Sequence, residues 1–159
     1  MAVQVVVQSA SARQTKAWGR RLGTLLKGGE IIGLHGELGA GKTCFVKGLA
    51  RGLGLSEEKI LSPTFTMIQE HASRLPLYHI DLYRLEAATL DDLGLREYLF
   101  SQGVAAVEWF ERLQTEAALD YLSVRIAYAG ASRRLLEFSA APGRHQAIVE
   151  RLRSAAWRA

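Results

Sequence analysis

The sequence predicts an α/β fold, a single domain built on a mixed β-sheet flanked by helices. Three observations predict it. Through the middle of the chain, short apolar runs bounded by turn residues alternate with segments of helical periodicity, the pattern of parallel strand pairs. Two further pairs of alternating runs, within 65–83 and 122–140, read as hairpins that extend the sheet with antiparallel strands. The 159 residues, 48% hydrophobic and 23% charged, suit one core of ordinary composition.

The elements follow in order. "VQVVVQ" at 3–8 is valine-rich and weakly alternating, a strand. Ser9 or Ser11 can cap the next segment, where Trp18, Leu22, Leu25 and Leu26 recur at helical spacing. Gly28 and Gly29 stop that helix. "EIIGLHG" is a short buried strand that runs into the glycine-rich stretch "GELGAGKT" at 36–43. Val46, Leu49, Ala50 and Leu53 then share a helical face, which Gly52 and Gly54 end. "SPTFTMIQEHA" opens as a turn and continues as a strand, and "LPLYHIDLY" returns as its partner. "ATLDDLGLREYLFSQG" is a short helix interrupted at Gly94, and "VAAVEW" is a fully apolar strand ending in an acid. "DYLSVRIAYAG" and "SRRLLEFSA" pair as a hairpin. The last segment is an amphipathic helix with Ile148, Leu152 and Ala156 inward. No repeat and no low-complexity linker divides the chain, so residues 1–159 form one domain.

Composition narrows the function. No apolar run approaches the roughly 20 residues of a spanning helix, and the N-terminal stretch lacks the basic start and long apolar core of a signal peptide. A cytoplasmic protein without a membrane partner is expected. The single cysteine, Cys44, excludes an internal disulfide and a multi-cysteine zinc site. The formal net charge is +4, and from Arg125 onward there are seven arginines against only Glu137 and Glu150. Such a bias attracts phosphate or nucleic acid, or simply solvates a helix face.

The stretch "GELGAGKT" carries the chemistry. Two glycines bracket four residues ahead of a lysine and a threonine, the P-loop spacing. Gly36, Gly39 and Gly41 let the backbone curl so that its N–H groups form an anion nest, to which the following helix adds the positive end of its dipole. Lys42 is placed to reach the β- and γ-phosphates, and Thr43 offers a hydroxyl to a magnesium ion. The metal needs an acid from the end of a buried strand. Glu108 closes "VAAVE" and Asp81 closes "LYHID". The more apolar strand favours Glu108 as the magnesium ligand, with Asp81 acting through water or orienting the attacking water. The chain contains no asparagine, and its one Thr-Lys pair, Thr15–Lys16, is followed by Ala17 and Trp18. The Asn/Thr-Lys-x-Asp guanine motif is therefore missing, and ATP is expected over GTP.

Four motifs in this order, "GELGAGKT", "SPTF" at 62–65, "HIDLYR" at 79–84 and "VEW" at 107–109, resemble the TsaE (YjeE) family of small bacterial ATPases. The resemblance covers roughly residues 3–134. It implies a P-loop NTPase-like fold and slow ATP hydrolysis in the biosynthesis of tRNA N6-threonylcarbamoyladenosine. It also implies work alongside TsaD and TsaB, with tRNA reached through their complex. Carried onto this chain, it gives the nucleotide to Glu37, Leu38, Gly39, Ala40, Gly41, Lys42, Thr43 and Cys44. Adenine falls near Ser11 and Ala12, with further contacts from Trp109 and Arg133. Thr64 becomes a switch-type threonine near the γ-phosphate, beside Lys42 and Asp81 in the chemistry, while Thr43 and Glu108 hold magnesium. Trp109 is equally readable as a core aromatic, and Arg133 as a solvated arginine. Cys44 departs from the second threonine found in many members. Two alternatives stay open on the residues: a small-molecule kinase, and a module whose docking is gated by ATP.

Overall fold

In the computed structural model, residues 2–63, 67–114 and 118–158 are described, those at 157 and 158 by backbone alone. Seven strands form one sheet. They are β1 (Val3–Ser9), β2 (Ile31–His35), β3 (Ile68–His71), β4 (Leu77–Asp81), β5 (Val104–Glu108), β6 (Leu122–Tyr128) and β7 (Arg134–Ala140). Their order is β1-β7-β6-β2-β5-β4-β3. The centre is parallel, β6 beside β2, β2 beside β5 and β5 beside β4. The two ends are antiparallel, β3 on β4 and β6–β7–β1. The mixed α/β sheet expected from the sequence is what the chain forms.

Among the described residues, four α-helices cover the sheet: α1 (Ala12–Leu25), α2 (Lys42–Gly52), α3 (Leu95–Leu99) and α4 (Gln146–Arg158). Ser11 caps α1, its hydroxyl accepting the Gln14 N–H at 3.2 Å. The interruption expected at Gly94 is a 3₁₀ turn over Asp92–Gly94, with Leu93 and Gly94 both at positive φ, and only then does α3 begin. The period of two divides each central strand between two cores. Ile32, Leu34, Val104, Ala106, Val124 and Phe138 pack with α1, α2 and α4, whereas Ile31, Ile80, Ala105 and Val107 pack with α3 and Phe110 on the other face. Leu77 belongs to the first core and Ile80 to the second. The alternation therefore aims His79, Asp81 and Glu108 at the side of the sheet that α2 covers.

Helices α1 and α2 approach through glycine. Gly19 and Gly23 on α1 face Gly48 and Gly52 on α2, each pair four residues apart and so on one helical face. A Cβ at Gly48 would stand 2.0 Å from the Lys16 carbonyl oxygen, and one at Gly23 would stand 2.4 Å from the Leu49 carbonyl oxygen. The obstacle is backbone, which cannot rotate away. Gly48→Ala is therefore expected to cost about 3 kcal/mol, the upper part of the range for overpacking, read as a lowered melting temperature. A melt within experimental error of the unsubstituted chain would contradict this packing. The close approach also sets the N-terminus of α1 beside the loop that precedes α2.

Candidate nucleotide site

The site sits at the carboxyl ends of β2, β4 and β5, where open parallel sheets place ligands. β2 delivers the chain to Gly36. Gly36, Gly39 and Gly41 all take positive φ (155°, 79° and 116°), and Gly41 is the N-cap of α2. The curl that the glycines were expected to permit is present, and it turns the loop onto the α2 N-terminus.

Lys42 is the first residue of α2 and is 4% exposed. Its Nζ donates to the carbonyls of Gly36 at 2.6 Å and Glu37 at 2.9 Å, and it lies 4.3 Å from the centroid of the Trp109 ring. Burial pulls the Lys42 ammonium below its usual pKa, opposed by the carboxylates of Glu108, Glu111 and Asp81. The Thr43 hydroxyl donates to the Glu108 carboxylate, 2.9 Å from Oε2 and 3.1 Å from Oε1. Asp81 pairs with Glu108 in the parallel register and its Oδ1 accepts the Tyr83 N–H at 2.8 Å. Both acids are nearly fully buried.

These groups line one cavity of about 250 Å³, in which Lys42, Thr43, Asp81, Glu108 and Trp109 meet Leu38 and Tyr83. A second cavity of about 290 Å³ adjoins it across Gly39, Gly41 and Cys44, and Ser11, Ala12, Ser132 and Arg134 line it. The glycine-rich loop thus stands between a hollow rich in acid, hydroxyl and ammonium and one beside the first helix. A larger cavity, about 580 Å³ between α1 and α4, lies away from the loop and brings Arg21 and Arg151 together without an acid.

Trp109, left open between a core aromatic and a site residue, is half-buried at φ 58°, with its ring between Lys42 and Tyr83. Its position follows from the abrupt end of β5 at Glu108, since a left-handed residue cannot continue a strand. Glu37 and Leu38 are exposed, and Leu38 is 70% exposed at the loop tip. Arg133 is exposed and outside both cavities. Its neighbour Arg134 donates from Nε to the Ala40 carbonyl at 2.8 Å. The Cys44 thiol lies 3.5 Å from the Ala12 carbonyl, and burial pushes its pKa up, which favours the inert thiol over the thiolate. Thr64 lies outside the described residues.

Sequence reasoning missed the clamp on the loop. Tyr128 at the end of β6 donates its hydroxyl to the Leu38 carbonyl at 3.0 Å, and Arg134 stacks on that same ring at 4.3 Å. A Tyr and an Arg flanking the turn of a predicted hairpin were the only signal available. His79 lies in the "HIDLYR" motif, but its bond to Glu108 is a contact between strands that no local motif spells out.

Among the described residues, no helix is long and apolar enough to cross a membrane. Comparison with known proteins agrees with the geometry. A family model described as "Threonylcarbamoyl adenosine biosynthesis protein TsaE" matches residues 9–136. The protein of that family from Bacillus subtilis, named as a tRNA threonylcarbamoyladenosine biosynthesis protein, is 39% identical over 150 residues, 94% of each chain. Its counterpart in Treponema pallidum is 50% identical over 111 residues, 68% of this chain and 80% of that one. The crystal structure of Bacillus subtilis YdiB superposes with a TM-score of 0.78 at 35% identity, covering 98% of this chain and 97% of that one. With its P-loop and its strand-end acids on one sheet edge and the family match running across most of its length, the chain belongs to the TsaE family.

Proposed function

We propose that this chain is a magnesium-dependent ATPase that acts in tRNA N6-threonylcarbamoyladenosine biosynthesis, in the cytoplasm, together with TsaD and TsaB homologues. The observation that carries the reading is the Thr43–Glu108 hydrogen bond inside the loop cavity, beside Lys42. By donating its hydrogen bond to Glu108, the Thr43 hydroxyl keeps its lone pairs for a cation. Magnesium is a hard ion that takes oxygen ligands, commonly one or two protein groups together with substrate phosphates. The residues fit that habit. Among the described residues no cluster of three or more His, Cys, Asp or Glu forms a closed cage, and Thr43 and Glu108 supply oxygens next to the phosphate loop. When bound, magnesium neutralises charge on the β- and γ-phosphates.

In this reading the loop from Glu37 to Cys44 binds phosphates through its N–H groups. Lys42 exchanges its two carbonyl acceptors for phosphate oxygens. Asp81 orients the attacking water, and Thr64 would stand near the γ-phosphate. The hollow beside Ser11 and Ala12 receives adenine, largely through backbone contacts, with Arg134 at its wall and Arg133 nearby. Trp109 shields Lys42 from water, and a shielded ammonium acts more strongly on phosphate. Contact with tRNA runs through the partner complex.

Calorimetry of the purified chain checks the ligand. ATP and ADP are expected to bind in the presence of magnesium and more tightly than GTP or GDP, because no Asn/Thr-Lys-x-Asp motif is present to read guanine. Equal affinity for GTP would remove the base assignment, and binding indifferent to magnesium would remove the role of Thr43 and Glu108.

A further inference from the structure

His79 touches the Glu108 carboxylate and has no role in the proposed function. It lies on β4, fully buried at 0% exposure. Its Nε2 stands 2.5 Å from Glu108 Oε2. The strand register explains how they meet. His79 pairs with Ala106 and Asp81 pairs with Glu108, so Glu108 is the diagonal neighbour of His79 on the same face of the sheet, within reach of a ring. Ala106 opposite contributes only a methyl group, which leaves room for the imidazole to lean along the strands.

The proton inventory is decisive. A carboxylate oxygen only accepts, so the contact needs a proton on Nε2. The other nitrogen, Nδ1, is buried and has no hydrogen-bond partner among the described residues. An uncompensated polar atom in the interior has a free-energy cost. For packing alone, an apolar ring would fill this position without that cost. The imidazole contributes one thing that such a ring cannot, the donor aimed at Glu108. Thr43 holds the same carboxylate from the loop side, so Glu108 is gripped between the sheet interior and the first turn of α2.

We propose that His79 is a positioning residue for the cation: its Nε2–H fixes the plane of the Glu108 carboxylate, so that Glu108 and the Thr43 hydroxyl present their oxygens to magnesium together. The inference rests on the reading of Glu108 as a cation ligand. Groups that orient a ligand from behind commonly change metal affinity by about 10–100-fold when removed.

The test is a calorimetric titration of Mg²⁺ into the full chain saturated with ADP, with ADP binding in EDTA and thermal melting measured alongside. His79→Phe is expected to raise the Mg²⁺ concentration at half-saturation by about tenfold or more, while ADP affinity in EDTA stays unchanged. His79→Gln, whose amide still offers an N–H toward Glu108, is expected to restore most of the loss. A merely structural role would lower the melting temperature without moving the Mg²⁺ dependence, and that result for a folded His79→Phe overturns the proposal. Glu108→Gln separates the two levels. If it leaves Mg²⁺ dependence unchanged, the cation-ligand reading itself fails; if it shifts the dependence while His79→Phe does not, only His79 falls. Should His79→Phe not fold, the ¹⁵N spectrum of the unsubstituted chain decides. An Nε2–H tautomer whose proton resonance moves when Mg²⁺ joins the ADP complex is expected. An Nδ1–H tautomer, or a resonance indifferent to Mg²⁺, overturns the proposal.

Discussion

Lys42→Ala is expected to lower ATP hydrolysis by about 10²–10³-fold, the loss that follows removal of one preorganised charge-stabilising donor. The lysine is held for that purpose. It opens α2, is almost wholly buried, and carries its ammonium between two loop carbonyls and the face of Trp109. Burial works against its charge, while Glu108, Glu111 and Asp81 favour it. Phosphate adds more of that favour. No other described cation lines the cavity, so none takes over the charge. Phosphate release measured under saturating Mg²⁺ and ATP checks the loss, with a melting curve to show that the loop still folds. A variant with near-normal turnover would take the P-loop out of the mechanism.

A larger change is expected from addition. TsaD and TsaB homologues together should raise turnover by about 10³-fold or more, the lower end of what a trans-supplied arginine gives in phosphoryl transfer. Two arginines near the loop are already committed. Arg134 is tied to the Ala40 carbonyl. Arg112 donates to the carbonyls of Tyr83 and Leu85 and lies against the Trp109 ring. Two apolar residues that line the cavity are exposed at its rim, Leu38 at 70% and Tyr83 at 39%. A partner seated on that rim would exclude water and complete the charge around the phosphates. Stopped assays with each partner alone, both together, and tRNA without partners check this, the pair being expected to exceed tRNA alone.

Much of the fold was legible because its central strands are short apolar runs. Residues 31–35 and 104–108 are buried along their whole length, as central parallel strands are. Glu108 and Asp81 were legible for the same reason, as acids that end such runs. Other features were not. Gly52 ends α2 as expected, but its part with Gly19, Gly23 and Gly48 in letting two helices touch by their backbones depends on which helix lies opposite. The hairpin expected within 65–83 pairs Ile68–His71 with residues 77–80, and the positive φ of Met67 just ahead of it, 65°, carries no mark in the pattern. The clamp by Tyr128 and Arg134 and the bond from His79 to Glu108 join residues 90, 94 and 29 positions apart. Only strand order and register bring such pairs together, and periodicity along one segment contains neither.

The most direct measurement is phosphate release from ATP by the full chain with TsaD and TsaB homologues present, compared in Mg²⁺ and in EDTA and repeated with Lys42→Ala. Hydrolysis is expected to need magnesium, to rise sharply over the chain alone and to be lost in Lys42→Ala. Release of phosphate that is the same in EDTA, or the same in Lys42→Ala, or absent under every condition while ATP is bound, would contradict it.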